Sequence, residues 1–154
     1  MPKEKKLMVN AIKDGTVIDH IPAKDLFKVI SILGLDKINT TITFGTNLES
    51  TKLGKKAIIK ISEVYFEDQD INKIALITQQ AQLNIIKNYE VVEKKPVRIP
   101  DYVYGIAKCV NPKCITNHEN IVTKFAIIDK RDIALKCEYC EKITNKEHIK
   151  ILKN

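Results

Sequence analysis

Four cysteines fall in two close pairs, Cys109-x4-Cys114 and Cys137-x2-Cys140, with twenty-two residues between the pairs. Spacing this tight brings two thiolates onto one cation, and two such pairs complete a tetrahedral set of four sulfurs. Zinc suits that donor set, one ion per chain, and iron is the other metal it accepts. A filled four-thiolate site keeps no open coordination position, so its ion shapes the chain rather than activating water. Two disulfides would need an oxidising compartment. The opening Met1-Pro2-Lys3-Glu4-Lys5-Lys6 has no apolar stretch suited to a signal peptide, so a cytoplasmic chain is expected. His118 could stand in as a ligand, but with four thiolates on the ion it reads as a loop histidine.

No catalytic pattern in the chain names an enzyme. The chain lacks Gly-x-Ser-x-Gly, Gly-x-Gly-x-x-Gly and His-Glu-x-x-His. Gly54-Lys55-Lys56 imitates the end of a phosphate-binding loop but has Glu49 where the first glycine belongs and Lys56 where Ser or Thr belongs. A second polar set remains: Asp19, His20, Lys56, Lys60 and Lys94. Strand alternation turns Lys60 away from Ile59 and Ile61, toward a face that helices would leave open. Lysines and a histidine gathered there would suit a polyphosphate, with Asp19 for ribose hydroxyls. Read from composition and spacing alone, they are better taken as ordinary surface charges, since single charges on strands are common.

The composition narrows the partners. The chain holds 26 basic and 19 acidic residues, net +7, with 44% hydrophobic content. Only Arg98 and Arg131 are arginines, whereas readers of nucleic acid favour arginine for bidentate contacts, so no nucleic-acid partner is expected. No apolar run approaches the ~20 residues that span a bilayer, so no membrane partner is expected either.

The elements that must position these residues divide at residues 94–101, where two prolines and a charge cluster predict an extended linker. The expected domains are 1–95 and 102–154, joined by 96–101. In the first, residues 7–12 read as a strand closed by an Asp14-Gly15 turn, and 16–21 resume extended structure. A helix follows over 23–33, with Leu26, Phe27, Ile30 and Leu33 as its buried stripe and Gly34 as its stop. Strands are expected at 37–44 and 57–64 around a polar loop. Next come a helix from Asp68 with Ile71, Ile74 and Ala75 inward, and strands at 81–87 and 90–93. This order predicts an α+β fold: a ferredoxin-like antiparallel sheet with two helices on one face. The other face stays open for a ligand or a second copy. Short strands at 122–128, 133–136 and 148–152 make the second domain a small all-β, zinc-ribbon-like unit, near the size where a core alone is marginal.

Several segments taken together resemble a known family: Val17-Ile18-Asp19-His20-Ile21-Pro22-Ala23, Asn88-Tyr89-Glu90-Val91-Val92, the Cys109/Cys114 pair, and Ile133-Ala134-Leu135-Lys136-Cys137-Glu138-Tyr139-Cys140-Glu141. Along essentially its whole length the chain resembles the regulatory chains of aspartate carbamoyltransferase. The resemblance implies a first domain that binds CTP or ATP and pairs with its twin. It implies a zinc domain that docks on the catalytic chain, regulatory dimers that bridge catalytic trimers, and feedback control of pyrimidine synthesis. By position, the nucleotide pocket would comprise Val9, Ile12, Val17, Asp19, His20, Lys56, Lys60, Asn84, Ile86, Tyr89, Val91 and Lys94. Lys94, His20 and Lys56 would face phosphates, and Asp19 and Lys60 the ribose and base region. Main-chain groups near Ile12 and Tyr89 would read the base edge. Asn111, Lys113 and Glu141 would meet the catalytic chain. Asn10 and Lys113 depart from well-known members, which have glutamate and asparagine there. The rival reading is a zinc-ribbon RNA-binding protein, since RNA-recognition domains share the split βαβ order. They stack bases on aromatics of the third strand, and residues 56–63 contain none.

Overall fold

The first sheet is organised by a central strand that begins at a glycine. A computed structural model describes residues 10–152. In it β1 (Gly15–Pro22), β2 (Ile42–Ser50), β3 (Gly54–Ser62), β4 (Gln82–Lys87) and β5 (Glu90–Pro96) form one antiparallel sheet in the order β2-β3-β1-β4-β5. With the helices α1 (Leu26–Ile32) and α2 (Asp68–Ala75), the chain order is the expected split βαβ pattern, to which β5 adds a hairpin strand. Gly15 lies opposite Ser62 on one side and Ile86 on the other, at φ 142°. A Cβ there would stand 2.1 Å from the Ile61 carbonyl oxygen, so only glycine lets the neighbouring backbone approach. The Asp14-Gly15 turn expected from sequence is therefore the start of a ladder. Residues 10–12 form no strand, and 7–9 lie outside the described residues.

One face of the sheet is core. Ile18, Ile21, Ala57, Ile59, Ile61 and Leu83 have no exposed surface, and Leu26 and Val29 of α1 are equally enclosed. Phe27, expected in the stripe, is 66% exposed. Its ring meets Phe44 edge-on at 6.1 Å, and Phe44 pairs with Ile59, which puts α1 on the Ile59 face. The buried stripe is thus Leu26 and Val29, one helical turn apart, with Ile30 and Leu33 half-buried beside it. Gly34, at φ 63°, ends that helix as expected. The strand expected over 37–44 begins later, after a 3-10 turn at Leu35–Lys37. It runs on through the expected loop to Ser50 by absorbing a bulge between Gly45 and Leu48.

The chain divides into two compact units, residues 1–67 with 80–97, and 68–79 with 98–154. The segment carrying α2 thus groups with the second unit, where the Gln79 side-chain amide donates to the Lys130 carbonyl. Ile71, Ile74 and Ala75 of α2 are buried, as its periodicity predicts. The proline-bearing stretch is less free than expected: β5 holds Lys94, Lys95 and Pro96 in register with Asn84, Leu83 and Gln82. Proline is tolerated there because β5 is an edge among the described strands.

In the second unit β6 (Tyr102–Tyr104), β8 (Lys124–Asp129), β9 (Ala134–Cys137) and β10 (Ile143–Asn145) form a sheet in the order β10-β9-β8-β6, and β7 (Ala107–Lys108) pairs with β11 (Lys150–Ile151). Its core is small: Val103, Ile106, Phe125, Ile133 and Leu135 are each at most 1% exposed. Three of these strands match the short runs read from sequence. β6, β7 and β10, of two or three residues each, are too short to show alternation. No helix among the described residues is long and apolar enough to cross a membrane.

Candidate metal centre and polar site on the first sheet

Each cysteine pair sits on a tight loop that its own backbone hydrogen bonds close. After β7, the Cys114 N–H donates to the Asn111 carbonyl at 3.0 Å. The Asn117 amide donates to the carbonyls of Cys109 (2.9 Å) and Asn111 (2.8 Å). Asn117 is thus a clamp on the first loop that spacing alone does not reveal. At the end of β9, Cys137 pairs with Phe125. A turn over 138–140 follows, and the Glu141 N–H donates to the Cys137 carbonyl at 2.9 Å with Glu141 at φ 66°.

These loops bring all four Sγ atoms within 4.8 Å of one another, with Cys109–Cys140 at 3.6 Å and Cys114–Cys137 at 3.8 Å. Four sulfurs at the usual ~2.3 Å from a zinc ion stand about 3.8 Å apart in a tetrahedron, whereas a disulfide needs about 2.05 Å. The thiols are free, and the arrangement fits a structural metal. Cys109, Cys114 and Cys137 are buried and Cys140 is half-buried. Burial pushes the Cys109 thiol up to about 12 and also raises Cys137. Burial opposes ionisation at Cys140 too, but hydrogen bonds from the Lys142 N–H, the Asn111 side chain and the Cys109 and Cys137 thiols together outweigh it and bring that thiol down to about 7. His118 is exposed, its Nε2 2.8 Å from the Pro112 carbonyl oxygen. It belongs to the loop, not to the sulfur cluster. Lys113 and Glu141 are exposed and Asn111 is half-buried, its Oδ1 accepting the Lys113 N–H at 3.0 Å.

On the first sheet, register does what sequence spacing could not. Lys60 lies opposite Val17, Val17 opposite Asn84, and Asn84 opposite Lys94. Directly paired residues of antiparallel strands share a face, so four of the expected pocket residues form one row across four strands. Thr43 of β2 pairs with Lys60 and extends the row; nothing in the sequence marked it. Beside the row Lys56 Nζ donates to Asp19 Oδ1 at 2.9 Å. The His20 N–H, at φ 58°, donates to the same oxygen at 2.6 Å. Ile86 follows on β4 opposite Val91. The exposed Tyr89 sits in the β4–β5 turn, its N–H donating to the Lys13 carbonyl at 2.9 Å next to half-buried Ile12. Val9 lies outside the described residues.

Lys60 differs from the expectation in one respect. It occupies the face opposite α1, as alternation predicts, yet is only 8% exposed. Burial lowers its pKa, and the Asp19 carboxylate works in the opposite sense.

Residues 7–98 match the family described as aspartate carbamoyltransferase regulatory chain, allosteric domain. Residues 101–150 match its regulatory chain, metal binding domain. The chain belongs to the aspartate carbamoyltransferase regulatory chains. It is 55% identical to the regulatory chain of Bacteroides fragilis over 95% of both sequences. It is 54% identical to that of Parabacteroides distasonis over 96% of both. The regulatory chain of Pyrococcus horikoshii is 47% identical over 94% of this chain and 96% of its own. The chain is therefore a regulatory, non-catalytic subunit, with an allosteric part over residues 7–98 and a metal-binding part over residues 101–150 built on the four cysteines.

Proposed function

We propose that the chain senses CTP and ATP in its first domain (residues 1–95) and passes the signal to catalytic chains through a zinc domain (residues 102–154), joined by the segment 96–101. The observation that carries the reading is the cross-sheet row of Lys60, Val17, Asn84 and Lys94 beside Asp19, His20 and Lys56. It gathers three lysines and a histidine with a carboxylate beside the sheet face opposite α1. Lys94, Lys56 and His20 would take the phosphates, Asp19 and Lys60 the ribose and base region. Backbone groups near Ile12 and Tyr89 would take the base edge. Ile86, Val91 and Val9 would complete the walls.

The metal would be zinc on Cys109, Cys114, Cys137 and Cys140, giving the loops a fixed shape. Asn111, Lys113 and Glu141, all on those loops, would then be presented to the catalytic chain. Regulatory chains would pair through their first domains and bridge catalytic trimers. A nucleotide shifts such an assembly only by binding its two states unequally, and typical couplings of about 1–3 kcal/mol change activity several-fold to a hundred-fold. Calorimetric titration of the chain with CTP and ATP, repeated on Lys94→Ala, tests the first half. Saturable binding that the variant loses supports it, and no binding by the unaltered chain refutes it. Mixing with catalytic trimers before and after zinc removal, followed by size measurement, tests the second. An assembly that survives complete metal loss refutes it.

A further inference from the structure

Buried polar atoms without a hydrogen-bond partner are rare in folded chains, because each has given up water for nothing in return. In the first unit such atoms among the described residues are His20 Nδ1, Thr43 Oγ1 and Asn84 Oδ1. His20 stands 3.7 Å from Asp19 Oδ2, beyond hydrogen-bond reach. His20 and Asn84 already belong to the proposed pocket; Thr43 does not.

The sheet explains why Thr43 and Asn84 occur together. Thr43 pairs with Lys60, Lys60 with Val17, and Val17 with Asn84. The two unpartnered oxygens therefore bracket Lys60 and Val17 in a single row on one face. Thr43 stands one strand spacing, about 5 Å, from Lys60, within reach of whatever group Lys60 holds. Its neighbour Phe44 points to the helix face, where it meets Phe27, so the Thr43 side chain belongs to the ligand face by alternation. A threonine here merely for its strand propensity would need no hydroxyl.

We infer that Thr43 is a further ligand contact of the effector pocket: its hydroxyl donates to an oxygen of the bound ribonucleoside triphosphate beside Lys60, extending the site onto β2. This rests on the nucleotide reading above. The contact also gives the enclosed Thr43 hydroxyl a hydrogen-bond partner.

The test is Thr43→Val, which keeps the shape and the β-branch and removes the oxygen. Calorimetry of the full chain with CTP should show affinity weakened about three- to tenfold, the worth of one neutral hydrogen bond. The Tm without nucleotide should stay level or rise, because an unpartnered polar atom has been removed. Thr43→Ser should retain the affinity of the unaltered chain. Should the valine variant not fold, Thr43→Ala is read in the same way. A Thr43→Val chain that binds CTP as tightly as the unaltered one, while Lys94→Ala binds weakly, overturns this inference alone. An unaltered chain that binds neither CTP nor ATP overturns the nucleotide reading and this contact with it.

Discussion

Stripping the metal should unfold most of the second unit and leave the first sheet standing. The reasoning starts from how little apolar material the second unit encloses: one phenylalanine and a few aliphatic side chains, Val103, Ile106, Ile133 and Leu135 among them. Small domains of ordinary composition hold only about 5–15 kcal/mol of net stability. Binding of a structural zinc ion contributes about 10–16 kcal/mol in small metal-dependent domains, which is as large as the whole margin. Without the ion, Cys114 and Cys137 become enclosed thiols with their Sγ atoms 3.8 Å apart, and the two loops lose the centre that would tie all four sulfurs together. The metal-free second unit should therefore be unfolded at 25 °C. Hydrogen exchange read by mass spectrometry, before and after dialysis against a strong chelator, resolves the units separately. Amides of β8 and β9 should lose at least a hundredfold in protection while those of β1 and β3 keep theirs. Undiminished protection at Phe125 and Leu135, with the ion shown absent by elemental analysis, would refute the reasoning.

Metal uptake should also release protons. Cys109 and Cys137 are held protonated well above neutral pH by burial, so at pH 8 each ion bound should expel at least two protons into a weakly buffered solution. Affinity should fall as pH drops, because the protonated thiols compete with the ion; pH-independent uptake would contradict this. Lys60→Met should weaken CTP binding about 10- to 100-fold, the range for a hydrogen bond to a charged group. It should also raise the ligand-free Tm at pH 7. Because burial lowers the pKa of Lys60 in the fold, the unfolded chain binds the proton more tightly, and stability rises with pH between the folded and unfolded values. Removing the ammonium removes that penalty, so a lower Tm would count against it. Gly15→Ala should cost about 3 kcal/mol or more, since its Cβ would overlap the Ile61 carbonyl oxygen. Thermal unfolding measures this, and a loss below ~1 kcal/mol would show that the backbone gives way.

The metal centre was legible in the sequence because its information is local: four ligands in two short loops need only spacing. The element order of the first sheet was legible for the same reason, through the periodicity of residues 57–61 and 71–77. What escaped depends on pairing between distant strands. Thr43 is unremarkable until its partner is known to be Lys60. Gly15 looked like a turn because glycine after aspartate often is one, whereas crowding by β3 gives it a place in a central strand. Phe27 was assigned inward by its hydrophobicity, and the backbone instead turned Val29 to the core. Pro96 suggested a break, but an edge position frees it from donating to a neighbour.

The strand that carries Lys94 is also the most loosely tethered in its sheet. β5 is exposed along nearly its whole length, with only Lys95 half-buried, and among the described strands it pairs with β4 alone. Fraying there disturbs almost no apolar packing, which is the signature of a segment that opens at low energy. A triphosphate seated on Lys94 would pin that border, converting occupancy into stiffness just upstream of residues 97–101. In the proposed pocket, that outer strand would be the element whose order a ligand changes most.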